Sequence, residues 1–435
     1  MALHQEGRSG LILALCALVC GACGEASTSG PGSQMPNAGS SNSAGAPAST
    51  GGNSGPQNGG EPAIEGSAGM RAAGGGLSVG VAGAPGAAGS GGAAALATVP
   101  FVYVGSTNGQ ISIFKIDVAL GTLTLVKSVS AGNYPSFVAF DPSFSHLYAV
   151  NESDGKVASF SVDAKTGDLA FLNRVDSGGG APAHVSVDGS GKYVLVANYN
   201  GGTTRVFPIA ANGSLGPPSD AKSPGINSHM ILTDRANAFA FVINKGSDTV
   251  SQYAFDATKG TLTPNAVPAL KTAAGAGPRH LAFHPSNKYG YLINELGDTL
   301  SAYAYDSALG QLSLIETKST LPAGIDGSAN TCAEVVVAPS GKFVYGSNRG
   351  HDSIVRFSID EATGKLNFID TTPSGGMVPR SFTLSRDGTL MLVANESGNV
   401  TSFSVDTKTG ALTKLISLDV PQKPQFVGIA YLAAK

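Results

Sequence analysis

Residues 277–296 read GPRHLAFHPSNKYGYLINEL, and this stretch decides the fold of the chain. Its two apolar runs flank a polar segment, which predicts two β-strands joined by a turn. In an antiparallel pair, the start of the first strand lies beside the end of the second. We therefore expect Arg279 and His280 to lie beside Asn294 and Glu295 at one edge of a sheet.

The same two-strand unit recurs along the chain, and its first marker is a glycine followed two residues later by a leucine. The glycine permits a positive φ in a hairpin turn, and the leucine is expected to start an outer strand. Successive markers are roughly 46 to 54 residues apart, which is the range of propeller blades. The seven marker glycines are Gly121, Gly167, Gly213, Gly260, Gly310, Gly364 and Gly410.

Two further markers repeat with the same period. A β-rich run ends in asparagine, which suits a strand end because it tolerates left-handed backbone and bonds to loop amides. The six asparagines are Asn151, Asn198, Asn244, Asn294, Asn348 and Asn395. Each unit begins with a short strand, and the seven copies are PSFVAF, PAHVSV, NSHMIL, PRHLAF, CAEVVV, PRSFTL and PQFVGI.

Each unit therefore predicts a four-stranded meander, with strands A to D in chain order. The first unit lacks its strand A, and the C-terminal segment PQFVGIAYL has no unit of its own. Pairing of this last strand into blade one would close the ring and remove the open sheet edges. The sequence predicts an all-β, seven-bladed β-propeller closed in this way.

The N-terminus has the features of a bacterial secretory leader. The apolar run 11–19 follows Arg8 and is too short to span a bilayer. The following VCGAC resembles a lipobox, and cleavage before Cys23 leaves small residues at the cut, whereas cleavage before Cys20 would place Val19 there. The alternative is an ordinary signal peptide cut nearby. We expect Cys23 to be acylated and to anchor the chain in the lipid bilayer.

Composition then divides the chain into three parts. We expect a signal peptide over residues 1–22, a Gly/Ser/Ala/Pro tether over 23–98 and the propeller over 99–435, since the tether has few large apolar residues to bury. The predicted location is the cell envelope, as an outer-membrane or surface lipoprotein. The net charge of −3 gives no reason to expect nucleic acid, and we expect a monomer. Cys332, the one cysteine beyond the leader, is expected to be a small packed residue.

One face of the predicted propeller collects ionisable side chains, because the starts of the A strands and the ends of the B strands meet there. Equivalent positions near the start of strand A hold Phe137, His184, His229, His280, Glu334, Ser381 and Phe426. The residues after the strand-B asparagines are Glu152, Tyr199, Lys245, Glu295, Arg349 and Glu396. Arg279 and Arg380 lie one step before the first set. Clustered titratable groups indicate a functional site, although buried His and acidic residues can also tie blades together. The spacing specifies no metal or cofactor.

The combination of GPRHLAFHP, YLINEL, AEVVVAPSGKFVYGSNRGHDSI and GGMVPRSFTLSRDGTLMLVAN resembles the seven-bladed propeller lactonases of the 6-phosphogluconolactonase and carboxymuconate-lactonizing type. The resemblance covers residues 99–435 and implies a metal-independent site. It implies catalytic roles for His229, Arg279, Glu295 and Arg349. Five further members of the face are expected to bind substrate, and these are His184, Lys245, His280, Glu334 and Arg380. Asn227 stands where the family often has a His, and INKGSD (residues 243–248) also departs from the family pattern.

Two functions follow from these features. The first is hydrolysis of an acidic or sugar-derived lactone, with Glu295 or His229 as the base and arginines stabilising the oxyanion. The second is a non-catalytic surface propeller that binds a ligand or a protein partner, which the lipid anchor and tether would suit. The predicted export argues against 6-phosphogluconolactone as the substrate, because that lactone is made in the cytoplasm.

Overall fold

The computed structural model describes residues 98–420 and 422–433. The residues of the predicted signal peptide, the predicted acylation site Cys23 and the predicted tether up to residue 97 lie outside the described residues. Twenty-eight β-strands form seven four-stranded antiparallel sheets in the described part. One short 3₁₀ helix, Lys245–Ser247, follows a strand B. Within residues 98–420 and 422–433, no helix has the length and apolarity to cross a membrane.

The strands run in chain order through the blades. Blade one contains β1 (Thr98–Ser106), β2 (Gln110–Asp117) and β3 (Thr122–Ser130). Blade two contains β4 (Phe137–Phe140), β5 (His146–Asn151), β6 (Lys156–Val162) and β7 (Leu169–Asp176). Blade three contains β8 (Pro182–Val187), β9 (Tyr193–Asn198), β10 (Thr203–Pro208) and β11 (Asp220–Lys222). Blade four contains β12 (Ser228–Thr233), β13 (Phe239–Asn244), β14 (Thr249–Asp256) and β15 (Thr261–Lys271).

The second half of the ring repeats this order. Blade five contains β16 (Pro278–Phe283), β17 (Tyr289–Asn294), β18 (Thr299–Asp306) and β19 (Gln311–Ser319). Blade six contains β20 (Thr331–Val337), β21 (Phe343–Arg349), β22 (Ser353–Ile359) and β23 (Leu366–Pro373). Blade seven contains β24 (Pro379–Leu384), β25 (Leu390–Asn395), β26 (Asn399–Val405) and β27 (Leu412–Asp419), and β28 (Pro424–Ala433) ends the chain.

The C-terminal strand closes the ring, as the sequence predicts. β28 pairs with β1 along the whole length of β1, from Thr98↔Ala433 to Ser106↔Pro424, and so becomes strand A of blade one. The predicted all-β, seven-bladed propeller and its closure are both confirmed. β1 begins at Thr98, the first described residue.

The marker glycines recur because they pack against the neighbouring blade. All seven have positive φ, between 63° and 86°. A Cβ atom at Gly310 or Gly364 would overlap the ring of Phe239 or Tyr289 in the preceding blade. Their position therefore requires glycine for both backbone conformation and close approach.

Buried tyrosines in strand B also join neighbouring blades at the marker glycines. Each hydroxyl donates a hydrogen bond to the carbonyl of the next blade's marker glycine. The pairs and their O···O distances are Tyr103 to Gly167 (2.7 Å), Tyr148 to Gly213 (3.1 Å), Tyr291 to Gly364 (3.1 Å) and Tyr345 to Gly410 (2.8 Å). Satisfying a buried hydroxyl in this way fixes the angle between blades.

The structure corrects two local expectations. The strand-B asparagines are not among the residues with positive φ, and Asn244 is extended at φ −111°. Four of the six side chains instead donate to a loop carbonyl, as Asn151 does to Ala131 at 2.7 Å. In blade three, Leu215 forms only an isolated bridge with Ile209, and the outer strand is the three-residue β11.

Candidate active site

Strand pairing places one predicted site residue in a different position from the one assigned from sequence. The strand-B asparagine pairs with the residue sixteen positions earlier, as in Pro278↔Asn294 and Ser228↔Asn244. His229 therefore occupies the position of Arg279, and Met230 occupies that of His280. The assignment of His229 to the His280 position is wrong, because NSH was aligned with PRH one residue out of register.

The backbone just before strand A fixes the residues that follow strand B. Five residues at this position have left-handed backbone, with φ between 47° and 60°. Their carbonyls accept hydrogen bonds of 2.7–3.0 Å from the backbone N–H groups of the residues after the asparagines. The donor and acceptor pairs are Glu152 and Tyr134, Tyr199 and Ala181, Lys245 and Asn227, Glu295 and Gly277, and Glu396 and Val378. Only one of the five acceptors is glycine, and left-handed Val378 is strained because it is β-branched. Such strain is typical of functional sites.

Glu295 is the centre of the cationic side of this face. Its Oε1 lies 2.6 Å from Lys245 Nζ and 3.2 Å from Arg349 Nη2, and its Oε2 lies 3.2 Å from Arg279 Nε. The three cations come from blades four, six and five. Burial by itself would raise the pKa of Glu295, but Arg279, Arg349 and Lys245 together lower that pKa to about 2. Glu295 is thus a permanent carboxylate near neutral pH.

Arg279 and Glu334 fix the tautomer of His280. Arg279 Nη1 lies 3.3 Å from His280 Nε2, and a guanidinium can only donate, so this ring nitrogen accepts. His280 Nδ1 therefore carries the proton and donates to Glu334 Oε1 at 2.8 Å. Burial and Arg279 lower the pKa of His280 well below its usual range. Burial raises the pKa of Glu334 to about 7, although Arg279 opposes this shift. Both nitrogens of His280 are thus occupied by protein groups.

His229 lies between Tyr199 and His280, with ring centroids 5.8 Å and 5.1 Å away. Among the described residues, no group bonds its buried Nδ1. Burial and the positive charge of Arg279 lower the pKa of His229 well below its usual range, so the imidazole is neutral.

His184 lies deeper in the channel than His229. It has no exposed surface and packs on Phe137 at a centroid distance of 4.3 Å and on His280 at 5.6 Å. Burial and the nearby His280 and Arg279 lower its pKa well below the usual range. This position supports the site from below.

Arg380 occupies the other side of the face. Its register position in blade seven matches that of Arg279 in blade five, since Pro379 pairs with Asn395 as Pro278 pairs with Asn294. Its guanidinium nitrogens lie 3.8 Å from Glu152 and 3.7 Å from Glu396. The sequence predicts that Glu152 and Glu396 lie on this face, but it predicts no substrate-binding role for them.

A narrow cleft joins the two sides at the channel mouth. As the side chains stand, it has no room for a water-sized sphere, so a substrate binds above it or displaces side chains. Its lining residues are Ser136, Phe137, Ala183, Arg279, His280, Glu334, Arg380, Ser381 and Gln425. The signal that could have found Ser136 and Gln425 is their position next to the equivalent residues Phe137 and Phe426 of strand A.

The predicted residues thus gather on one face in two layers. Lys245, Arg349 and Arg380 are partly exposed, while Glu295, His184, His280 and Glu334 are buried. No group of three or more His, Cys, Asp or Glu side chains within the described ranges is arranged to hold a metal ion. Cys332 is buried, and burial raises the pKa of its thiol to about 12, which makes it unreactive.

The family model described as "Lactonase, 7-bladed beta-propeller" matches residues 101–428. The 6-phosphogluconolactonase of Bacillus subtilis is 34% identical over 327 residues, which cover 72% of this chain and 92% of the relative. The 6-phosphogluconolactonase of Formosa agariphila is 34% identical over 339 residues, covering 72% of this chain and 95% of the relative.

Two solved structures are similar over almost their entire length. A putative 6-phosphogluconolactonase from Bacteroides fragilis superposes with a TM-score of 0.71 at 28% identity, covering 76% of this chain and 98% of its own. The periplasmic gluconolactonase of Pseudomonas aeruginosa superposes with a TM-score of 0.71 at 25% identity, covering 77% and 99%. The resemblance inferred from GPRH, NEL and SNRG is therefore confirmed, and the chain belongs to the seven-bladed β-propeller lactonase family.

Proposed function

We propose that this protein hydrolyses a sugar-derived lactone at the face that carries Glu295. The observation that supports this most strongly is the carboxylate of Glu295 bound by Lys245, Arg279 and Arg349. The neutral imidazole of His229 lies on the same face, with its ring 5.1 Å from that of His280. Hydrolysis of a cyclic ester requires a base for the attacking water and positive charge for the oxyanion, and this face offers both.

His229 is the better candidate for the base. Each oxygen of the Glu295 carboxylate is already paired with a cation. The imidazole of His229 is neutral, and its Nδ1 is without a hydrogen-bond partner among the described residues. In the proposed mechanism His229 takes a proton from water as the oxygen attacks the lactone carbonyl. The role of Glu295 is then to hold the three cations in place.

Arg349 and Lys245 are the cations best placed to stabilise the oxyanion. Their side chains are 13% and 16% exposed, whereas that of Arg279 is 3% exposed. Arg279 also donates to the carbonyl of Ala333 at 2.6 Å. It therefore supports the site from below, and Arg349 and Lys245 meet the substrate. The tetrahedral intermediate then collapses, the bond between the carbonyl carbon and the ring oxygen breaks, and His229 gives its proton to that oxygen, which yields a hydroxy acid.

We also propose that the protein is exported and acylated at Cys23, as a monomer anchored in the cell envelope. The leader pattern of residues 1–23 supports this, and the name of the Pseudomonas aeruginosa relative places a lactonase of this fold outside the cytoplasm. Export would separate the enzyme from lactones made inside the cell. The substrate is then a sugar lactone that forms in, or enters, the envelope.

Acid release from glucono-δ-lactone and from 6-phosphoglucono-δ-lactone tests the proposal. In a pH-stat, the purified full-length protein should consume base faster than spontaneous hydrolysis does with at least one of the two. His229→Asn should lower kcat by about 10²–10⁴, and Arg349→Met by about 10²–10³. His146→Asn is a matched control, because His146 lies at the opposite end of strand B and bonds Asp141. It should hydrolyse lactone as the wild type does.

Two outcomes would contradict the proposal in different ways. If His229→Asn and Arg349→Met hydrolyse lactone like the wild type, the site is elsewhere on the propeller. If the wild type adds nothing to spontaneous hydrolysis of any sugar lactone, the protein is a ligand-binding propeller instead of an enzyme.

A further inference from the structure

Arg380 is an uncommitted arginine at the mouth of the channel. Its side chain makes no hydrogen bond to any described residue, and the nearest carboxylate oxygens lie 3.8 Å away on Glu152 and 3.7 Å away on Glu396. These separations exceed hydrogen-bond length. Arg279, at the matching position of blade five, donates a hydrogen bond of 2.6 Å to the carbonyl of Ala333. Arg380 therefore keeps its donors for a group that enters the cleft.

Buried acceptors beside Arg380 also lack partners. Ser136 is 2% exposed and lines the cleft with Arg380, and within the described part of the chain nothing bonds its Oγ. Glu152 Oε2 is buried and equally without a hydrogen bond there. Leaving a buried polar atom unpaired is unfavourable, so unpaired donors and acceptors around one cleft favour the binding of a polar group there.

The backbone holds these carboxylates in place at some cost. Glu152 and Glu396 each donate their backbone N–H to the carbonyl of a left-handed residue, Tyr134 at φ 60° and Val378 at φ 57°. Neither left-handed residue is glycine, and strain of this kind persists where the surrounding structure imposes it. The Tyr134 hydroxyl in turn donates to Gln425 Oε1 at 2.8 Å. We call Arg380, Glu152, Glu396 and Ser136 the Arg380 lobe.

The two sides of the face differ in charge. The Arg380 lobe has one guanidinium and two carboxylates, a formal charge of −1. The side around Glu295 has three cations and one carboxylate, a formal charge of +2. A ligand that spans the cleft therefore meets positive charge at one end and a mixed, net negative environment at the other.

This charge pattern discriminates between hydroxyl groups and phosphate groups. A hydroxyl both donates and accepts, so neighbouring hydroxyls can donate to Glu152 and Glu396 while accepting from Arg380. A phosphate monoester is largely dianionic at neutral pH and can only accept, so the two carboxylates repel it. An interface gains specificity from such a repulsive element as well as from attraction.

We propose that the Arg380 lobe binds the hydroxyl groups of an unphosphorylated sugar lactone, and that Glu152 and Glu396 exclude its phosphate ester. The lactone carbonyl then lies at the Glu295 side, where Arg349 and Lys245 meet the developing charge. This inference rests on the proposed function and specifies its substrate class.

Calorimetric titration of the full-length protein with the two hydrolysis products, gluconate and 6-phosphogluconate, tests the lobe without requiring turnover. The wild type should bind gluconate at least about tenfold more tightly, since the two acids differ only in the phosphate. Glu152→Gln and Glu396→Gln each remove one negative charge while keeping the shape of the side chain. Each should strengthen 6-phosphogluconate binding about tenfold and weaken gluconate binding. High salt should reduce the gain in 6-phosphogluconate affinity of the two variants, because screening weakens the charge repulsion in the wild type.

Glu361→Gln is the matched control, because Glu361 is an exposed glutamate in a turn between strands C and D, at the opposite end of the blade. It should change neither affinity. Equal wild-type affinity for the two acids, tighter binding of 6-phosphogluconate, or no change in the ratio of affinities in the two glutamine variants would each overturn the inference. If the wild type hydrolyses no lactone in the pH-stat but still binds gluconate more tightly than 6-phosphogluconate, the proposed function alone would be overturned.

Discussion

Replacing Glu295 by glutamine should destabilise the ring as well as the site. Its pKa of about 2, against the usual 4.5 for a glutamate, corresponds to about 3 kcal/mol of preferential stabilisation of the buried carboxylate. Glutamine imitates the protonated form, so Glu295→Gln should lower the free energy of unfolding at pH 7 by about 3 kcal/mol. For a domain of this size that loss lowers Tm by about 4 °C.

The sign of the pH dependence follows from the depressed pKa of Glu295. A group whose pKa is lower in the folded state stabilises it above its unfolded pKa, and this contribution disappears as pH falls through the folded pKa. The gap between wild type and Glu295→Gln should therefore be full above pH 4.5, fall to about half by pH 3 and close near pH 2.

Urea unfolding followed by circular dichroism measures this gap, because the chain has no tryptophan for fluorescence. Glu361→Gln is again the control and should unfold like the wild type at every pH. If Glu295→Gln were as stable as the wild type at pH 7, the charge of Glu295 would contribute nothing to the free energy of unfolding, and the reasoning would be refuted. A gap that stays constant down to pH 3 would mean that the loss comes from packing and not from charge.

Three further predictions concern other parts of the ring. Tyr291→Phe removes the hydroxyl that bonds Gly364 and should lower the free energy of unfolding by about 1 kcal/mol without changing lactone kcat/KM; an unchanged urea midpoint would contradict it. Burial raises the pKa of Glu334 to about 7, so the wild type should lose stability as pH rises through 7. Glutamine does not titrate, so the urea midpoint of Glu334→Gln, compared with that of the wild type, should increase from pH 5 to pH 8. A constant relative midpoint would show that Glu334 titrates normally. Deleting residues 424–435 removes β28 and bares the edge of β1, so the thermal transition should lose its cooperativity and size-exclusion chromatography should show aggregates; a monomer with a sharp transition would refute this.

The blades could be predicted from sequence because the contacts that define them repeat. Six of the seven marker glycines meet an aromatic or imidazole ring of the preceding blade, and the packing therefore leaves a periodic pattern in the sequence. The missing first strand and the surplus last strand were visible for the same reason. The charged residues of the site were also predictable as a group, because strand order alone brings the starts of A and the ends of B to one face.

The contacts between the site residues could not be predicted from the sequence. Alignment of residues 227–229 with PRH puts His229 one residue out of register. Counting sixteen residues back from Asn244 shows that Ser228 is the equivalent of Pro278, and therefore that His229 is the equivalent of Arg279. The choice of Glu295 as the partner of three cations depends on side-chain distances between three blades, which no local pattern encodes. The left-handed residues escaped notice because four of the five are not glycine, so the backbone gives no compositional signal there.

The β28–β1 closure has a mechanical and an orientational consequence. Strand β1 ends at the face that carries the cleft, so its first residue, Thr98, lies at the opposite face. A load applied through the N-terminal end of β1 acts along the strand axis. The ladders to β28 and β2 on its two sides then share the load in shear, instead of opening one bond at a time. A propeller held by that end would keep its ring closed under tension and would turn its cleft away from the point of attachment.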